Sequence, residues 1–373
     1  MARIVYGVSG EGSGHAVRSD FVLEHLKRKG HEIKVVTYDR GLRILQKQYD
    51  CFETAGLHIS SRHNQVEKVQ TFFENLAKLP EAKKRLKALK SEVFDSFQPD
   101  CVMTDFEPMS AYLANARDLP LITIDNQQGL RYMKFPCPDY LHKDRRLAEN
   151  LVRMLIPRPD VSLITTFYFG KPVNDRTFLF PPILRQSIRE LVPKIDNFIL
   201  VYLTRGYDAF LEGLKHFKRE RFVVYGCDTV GEFGPITYKP FDRNTFAQDL
   251  ANCKAVMATA GFSLITESLF LHKPYLALPI IGQFEQEINA YLLQRLSYGS
   301  LMRNLSQASI GNFLYHLPDF RDHLESYKEV QRQPVTQKLD ELLADDCQLL
   351  RTLHEKRKEA DREALPIPDL FAG

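Results

Sequence analysis

From near the start of the chain, the pattern of hydrophobic and polar positions switches between short runs typical of strands and the spacing typical of helices. A β-branched and aromatic run at 4–6 predicts a strand, which ends in the glycine-rich segment 9–15. Apolar positions from 16 to 29 then recur at helical spacing, and Gly30 ends that pattern before a second strand at 33–38. This order of strand, turn, helix and strand is typical of a βαβ unit in a parallel sheet.

The same alternation continues in two series. Further strands are predicted at 100–105, 120–125 and 161–166, and then at 198–203, 221–225, 255–259 and 275–278. Helices are predicted at 64–97, 109–117, 264–271 and 286–296. The breakers Gly170, Pro172, Pro181 and Pro182 indicate a linker at 170–185. We therefore predict an α/β protein with a first domain at 1–178, a second domain at 179–320 and a helical tail at 321–373.

Composition narrows the class of protein. A length of 373 residues suits two domains, and 44% hydrophobic with 26% charged residues is ordinary globular composition. The 50 Lys and Arg against 47 Asp and Glu argue against a dedicated nucleic-acid-binding protein, which normally carries a large basic excess. Six cysteines without a CxxC pair favour a reducing compartment. With no membrane-length apolar run and no signal-peptide pattern, we expect a cytoplasmic protein.

Two loops at the expected carboxyl edges of the sheets carry candidate chemistry. In the first, the glycines at positions 10, 12 and 14 allow a ligand to approach the backbone beside a helix N-terminus. Their spacing matches neither the dinucleotide fingerprint nor a phosphate-binding P-loop. A structural turn and an anion- or sugar-binding loop therefore both stay open.

His15 stands where this loop meets the helix. Imidazole is the side chain best suited to accept a proton near neutral pH. Asp105 ends a neighbouring predicted strand, where its carboxylate can orient the imidazole. The alternative role for Asp105 is to cap the helix that begins near Pro108.

The second loop follows the predicted strand at 255–259. It turns at Gly261 and enters a helix with Ser263 near its start, where free N–H groups can hold diphosphate oxygens. Glu267, one turn further, can accept both hydroxyls of a ribose or close a capping box with Ser263. The polar segment 283–286 suits hydrogen bonds to sugar hydroxyls, which need both donors and acceptors.

Residues 261–296 resemble the donor-site signature of GT-B glycosyltransferases. The signature consists of a glycine, a helix with glutamate six residues on, Lys-Pro, a strand ending in proline, and then glutamine and Asn-Ala. Similar enzymes add N-acetylglucosamine to lipid I or transfer glucuronosyl and glucosyl groups from UDP. Bacterial and archaeal relatives also share Gly-x-Gly-x-Gly-His-x-x-Arg, found here at 10–18. The resemblance implies two Rossmann-like parallel-sheet domains facing a cleft, with the helical tail packing back across them.

The resemblance also implies roles for individual residues. His15 matches the general base, with Asp105 as its partner. The expected donor-binding residues are Gly12, Gly14, Thr204, Arg205, Phe241, Gly261, Phe262, Ser263, Glu267, Gln283, Glu285 and Gln286. Among these, Glu267 would bind ribose hydroxyls, Arg205 would reach the diphosphate and Phe241 would pack on the base. The chain departs from its relatives at His272, where they often have glycine before Lys-Pro.

These features favour inverting, metal-independent transfer of a sugar from a UDP donor to an acceptor hydroxyl, with no cofactor. The alternatives are a nucleotide-sugar 2-epimerase and a non-catalytic subunit that binds a nucleotide sugar. The glycine spacing disfavours a nicotinamide-dependent dehydrogenase. The segment 65–90, with basic residues beside apolar ones, is a candidate acceptor-side or membrane-facing helix, or a solvated helix face.

Overall fold

Two seven-stranded sheets form the framework of the protein. The structure, a computed structural model, describes residues 1–11, 14–56, 61–62, 65–66, 79–203, 206–304, 306–327 and 333–363. The first sheet has the spatial order Thr177–Phe180, Val161–Thr165, Leu121–Asp125, Cys101–Asp105, Arg3–Val8, Glu32–Thr37 and Cys51–Glu53. The second has the order Gly231–Phe233, Ile236–Tyr238, Phe222–Tyr225, Ile199–Tyr202, Ala255–Ala258, Tyr275–Ala277 and Gly299–Leu301.

Both sheets are parallel apart from one edge strand, Gly231–Phe233, which runs antiparallel to its neighbour. The central strands Cys101–Asp105 and Leu121–Asp125 are buried at every position, because helices cover both faces of the sheet. The helices are Gly14–Arg28, Asp39–Leu45, Leu79–Ala88, Pro108–Ala116, Gly129–Tyr132, His142–Leu155, Gln186–Arg189, Asp208–Leu214, Arg243–Asn252, Phe262–Phe270, Phe284–Arg295, Gln307–Tyr315, Leu317–Glu325 and Val335–Glu363. The predicted α/β class with two Rossmann-like sheets is confirmed.

Smaller elements complete the fold and correct one local prediction. Gln65–Val66 pairs antiparallel with Ser61–Arg62, so the helix predicted at 64–97 does not begin at 64. Residues 67–78 lie outside the described residues, and helix Leu79–Ala88 continues as a π-helical segment at Leu89–Asp95. A short 3-10 turn at Asp139–Leu141 precedes helix His142–Leu155.

The segment between the two sheets is more structured than a linker. Lys171–Pro172 pairs antiparallel with Met133–Lys134, and Thr177–Phe180 joins the edge of the first sheet beside Val161–Thr165. The predicted linker at 170–185 therefore contributes a strand to the first sheet, and the chain leaves that sheet after Phe180. A domain boundary at 178/179 would divide this strand.

The C-terminal helix Val335–Glu363 returns to the first sheet. It is kinked at 344–347, where three residues have positive φ. Leu339, Leu342 and Leu350 on this helix are fully buried in the same core as Ile4 from the first strand. Helix Gln307–Tyr315, by contrast, packs on the second sheet. The end of the chain therefore crosses from one domain to the other.

Polar contacts also hold this helix in place. Its Arg357 donates from Nε to Asp160 Oδ1 at 2.6 Å, and Asp160 is buried. Near the other end of the helix, Asp340 accepts from His25 Nε2 at 2.7 Å. None of the helices in the described ranges is long and apolar enough to cross a membrane.

The docked C-terminal helix allows a matched test. We expect Leu350→Ala to lower the free energy of unfolding by about 2–5 kcal/mol, because Leu350 is fully buried and its loss leaves a cavity. Leu349→Ala, one residue earlier and 39% exposed, should cost less than about 1 kcal/mol. Urea denaturation measures both. Equal losses would contradict the docking of this helix.

Candidate active site

The carboxyl ends of the two sheets face each other across a cleft. The loop after strand Arg3–Val8 lies on one side, and the loop after Ala255–Ala258 lies on the other. The two sides touch at Gly14 and Ser263, since a Cβ built on Gly14 would lie 2.8 Å from Ser263 Oγ. Glycine at position 14 therefore permits this close approach of the two domains.

Asp105 is the centre of a buried hydrogen-bond network on the first-domain side. Its Oδ1 accepts from His15 Nδ1 at 2.7 Å and from Arg18 Nη2 at 2.5 Å. Its Oδ2 accepts from Arg18 Nε at 2.6 Å and from Ser19 Oγ at 3.0 Å. Burial would raise the pKa of Asp105, but the charges of Arg18 and His15 outweigh it and lower the pKa to about 2. The carboxylate is therefore ionised at neutral pH.

This network fixes how His15 can act. A carboxylate accepts hydrogen bonds only, so this contact favours a proton on Nδ1 of His15, and Arg18 Nη2 lies 2.8 Å from the same atom. The Nε2 atom of the neutral ring is then the acceptor. His15 lines the interdomain cleft. The capping alternative for Asp105 is wrong, because Glu107 caps helix Pro108–Ala116, accepting from the backbone N–H groups of Met109 and Ser110 at 2.8 Å each.

Arg18 links this network to the second domain. Its Nη1 donates to Asn126 Oδ1 at 2.9 Å, and Asn126 Nδ2 donates to Glu285 Oε1 at 3.0 Å. Gln127 Nε2 lies 3.5 Å from the other oxygen of Glu285. Glu285, predicted to face the transferred sugar, is thus joined through two side chains to the His15–Asp105 pair.

The second-domain loop presents a helix N-terminus to the cleft. Gly261 is the N-cap of helix Phe262–Phe270, and a Cβ added to it would meet no atom within 4 Å. The capping-box alternative for Glu267 is therefore wrong, since Ser263 is not the N-cap. Free N–H groups at such a terminus suit an anion.

Glu267 is buried and paired with an arginine that the sequence did not reveal. Arg185 donates from Nε to Oε1 and from Nη2 to Oε2, both at 2.8 Å. Burial raises the pKa of Glu267, and the charge of Arg185 opposes that shift. The pair forms part of the wall of a cavity of about 230 Å³.

Aromatic rings line the same cavity. Phe241 is 56% exposed, and its ring centroid lies 5.8 Å from Tyr202 and 5.4 Å from Phe246. Arg243 follows on the adjacent helix and also lines the cavity. Flat apolar surface, a carboxylate and cations are thus brought together, which suits a ligand with a planar ring, hydroxyls and negative charge.

Other predicted donor residues take different positions. Gln286 Oε1 accepts from the backbone N–H groups of Ala260 at 3.2 Å and Ile280 at 3.1 Å, so it ties two loops together. Gln283 is the N-cap position of helix Phe284–Arg295, and Phe262 packs against Phe167 across the cleft. Gly12, Thr204 and Arg205 lie outside the described residues.

In the described part of the chain, no group of three or more His, Cys, Asp and Glu side chains is arranged to hold a metal ion.

The Lys-Pro part of the donor signature is structural here. Lys273 is buried, and its ammonium donates to the backbone carbonyl of Lys194. His272 before it has a φ of 57°, in the left-handed region. Glycine adopts that conformation without a Cβ penalty, so a glycine at this position would avoid the steric cost that His272 carries.

The sequence of the chain matches one family along most of its length. Residues 2–318 match Glycosyl transferase family 1, and the chain belongs to this family. The protein is therefore a glycosyltransferase. It is 24% identical to an "Uncharacterized glycosyltransferase" of Methanosarcina acetivorans, covering 80% of this chain and 85% of that one. A relative from Methanosarcina mazei is 22% identical, covering 95% of this chain and 100% of the relative.

Solved glycosyltransferases share the fold. The calicheamicin glycosyltransferase CalG4 superposes with a TM-score of 0.64 at 15% identity, covering 92% of this chain and 98% of CalG4. The glycosyltransferase VinC, solved in complex with DTDP, has a TM-score of 0.64 at 13% identity, covering 95% of this chain and 100% of VinC. The GT-B fold is thereby confirmed.

A second buried carboxyl group lies near the network. Asp125 Oδ1 accepts from the backbone N–H of Gln128 at 2.7 Å, while its buried Oδ2 has no hydrogen-bond partner among the described residues. Burial, followed by the negative charge of Asp105, raises the pKa of Asp125 to about 7. The carboxyl groups of Asp105 and Asp125 therefore titrate in separate pH ranges.

Asp125 should make stability fall as the pH rises. An unfolded aspartate titrates near pH 3.9, so between about pH 4 and 7 the folded protein holds a proton that the unfolded chain has released. Asp125→Asn cannot ionise, so its stability relative to the parent should rise across this window by up to about 4 kcal/mol. Denaturation at each pH measures this difference. A difference that stays flat across this pH range would contradict the buried assignment of Asp125.

Proposed function

We propose that the protein transfers a sugar from a UDP-sugar donor to an acceptor hydroxyl. The reaction would invert the configuration at the anomeric carbon and would need no metal. The observation that carries the proposal is the opposition of two features across one cleft. His15, oriented by Asp105, lines the cleft on the first-domain side, and Gly261 and Ser263 at a helix N-terminus line it on the other. A base and an anion site in one cavity suit the transfer of a sugar away from a diphosphate.

The donor would occupy the second-domain side. Tyr202, Phe241 and Phe246 offer ring faces for a base. Glu267 would accept the ribose hydroxyls, since Arg185 uses one edge of the carboxylate and each oxygen has a second lone pair. The complex of the neighbour VinC with DTDP supports a nucleoside diphosphate in this fold.

Charge on the leaving diphosphate would be stabilised by fixed protein groups. The free N–H groups after Gly261 provide donors, and Thr204 and Arg205, which follow strand Ile199–Tyr202, are proposed to add further contacts. A guanidinium binds phosphate with two hydrogen bonds. Together these groups would supply the electrostatic stabilisation that a metal provides elsewhere.

The chemical step would begin at His15. Its Nε2 would take the proton of the acceptor hydroxyl as the oxygen attacks the anomeric carbon from the face opposite the nucleotide. The bond to the diphosphate oxygen breaks with its electron pair, and the anomeric configuration inverts. The ionised Asp105 would stabilise the imidazolium that forms.

Two variants separate binding from chemistry. We expect Glu267→Gln to weaken UDP binding about tenfold or more, because a ribose contact to a carboxylate is lost. His15→Ala should bind UDP like the parent and lose about 10²–10⁴-fold in turnover, because the general base is gone. Calorimetry measures binding, and release of UDP with an acceptor present measures turnover.

The control is His216→Ala, which changes an exposed histidine that does not line the cleft cavities. Unchanged UDP affinity in Glu267→Gln would remove the donor assignment. Full turnover in His15→Ala would contradict the assignment of His15 as the general base. Incubation with donor alone separates transfer from the epimerase alternative, because only an epimerase converts the sugar without an acceptor.

The bridge from Arg18 to Glu285 gives a further prediction. Asn126→Asp keeps an oxygen for Arg18 but places a carboxylate against Glu285. We therefore expect kcat to fall, with a rise in the activation free energy of about 1–3 kcal/mol. Adding Glu285→Gln restores a donor to this pair and should recover part of the loss. Steady-state kinetics of the parent, Asn126→Asp, Glu285→Gln and the double variant measure the coupling energy between the two positions. Purely additive effects would contradict a bridge between the domains.

A further inference from the structure

Helix His142–Leu155, here called the surface helix, has an exposed apolar face. Leu147, Leu151 and Met154 are 50%, 43% and 48% exposed. Their spacing of four and then three residues places them along one side of the helix. Val152 is the buried residue of this helix, on the side that faces the protein. Three adjacent large apolar side chains on one helix face form a patch, which an isolated exposed leucine does not.

The exposed charges on the surface helix itself are cationic, and the exposed Asp139 just before the helix lies 3.8 Å from His142. The other exposed residues of the surface helix are His142, Lys143, Arg146, Asn150 and Arg153. Its two carboxylates, Asp144 and Glu149, are half-buried, and Glu149 accepts from Arg145 at 2.7 Å. The exposed side of the helix therefore combines apolar groups with cations and displays no exposed carboxylate.

The surface helix borders the interdomain cleft. The guanidinium of its Arg145 lies 4.5 Å from the ring centroid of Phe135. Phe135 lines an apolar cavity that continues from the cleft past Asn126 and Glu285. Tyr140, 51% exposed, precedes the helix and lies beneath the guanidinium of Arg303 from the second domain.

We propose that the surface helix binds an anionic lipid surface. Leu147, Leu151 and Met154 would enter the boundary between headgroups and acyl chains, while Lys143 and Arg146 would contact anionic headgroups. A second copy of the chain fits this face poorly, because two such faces carry like charges. Nucleic acid would use the cations but leave the apolar patch in water.

This surface differs from the segment 65–90 that the sequence suggested. The described part of that segment includes helix Leu79–Ala88, whose exposed residues include Lys83 and Lys84. The two helices therefore provide competing assignments that a single experiment can separate. The proposal goes beyond the proposed function and does not depend on it, because lipid binding requires neither a donor nor turnover.

Vesicle co-sedimentation of the full chain tests the proposal. We expect binding to phosphatidylcholine vesicles that contain phosphatidylglycerol at low salt, and much weaker binding to phosphatidylcholine alone. Leu147→Glu with Leu151→Glu should weaken binding about tenfold or more; both sites are exposed, so the fold should persist. The control Lys83→Glu with Lys84→Glu should bind like the parent.

A fluorescence probe supplies an independent measurement, because the chain contains no tryptophan. Leu151→Trp places a single indole on the apolar face, and its emission should shift to shorter wavelength when anionic vesicles are added. Val192→Trp, at a residue 75% exposed outside the surface helix, should show no shift. Absence of binding by the parent, equal binding by the Leu147/Leu151 variant, or equal shifts for both tryptophans would overturn the proposal.

Discussion

One buried charge organises the first-domain side of the cleft. The Asp105 carboxylate is fully buried and stays ionised because Arg18, His15 and Ser19, all from one helix, donate hydrogen bonds to it. These bonds attach helix Gly14–Arg28 to the end of a central strand. The bond to Asp105 also favours the tautomer of His15 that carries its proton on Nδ1. Removing the carboxylate would leave Arg18 buried without its counter-charge, a strongly destabilising change.

From this point, contacts extend into the second domain. Arg18 reaches Asn126, and Asn126 reaches Glu285 on helix Phe284–Arg295. Gly14 meets Ser263 on the other side of the same cleft. Orientation of the base and approach of the two domains therefore depend on a connected set of contacts. Because parallel strands end at the same edge of each sheet, residues distant in sequence meet at this interface.

Much of the site was visible in the sequence, because its backbone features are local. The strand ends at Asp105 and the glycines that precede His15 follow from short runs of residue types. Arg18 is the last residue of the Gly-x-Gly-x-Gly-His-x-x-Arg motif, although its role as the main partner of Asp105 was not predicted. Arg185 had no such signal. It lies near the end of a segment interpreted as a linker, where no periodicity or motif marks a partner for Glu267.

The sequence by itself determined the alternation of strands and helices, the α/β class and the position of both loops. Tertiary structure decided which side chains meet. His15 and Asp105 are separated by 90 residues, Arg185 and Glu267 by 82, and Asn126 and Glu285 by 159. It also placed the C-terminal helix on the first sheet. Periodicity reports burial within one element, whereas these pairings depend on how separate elements pack, which no local pattern encodes.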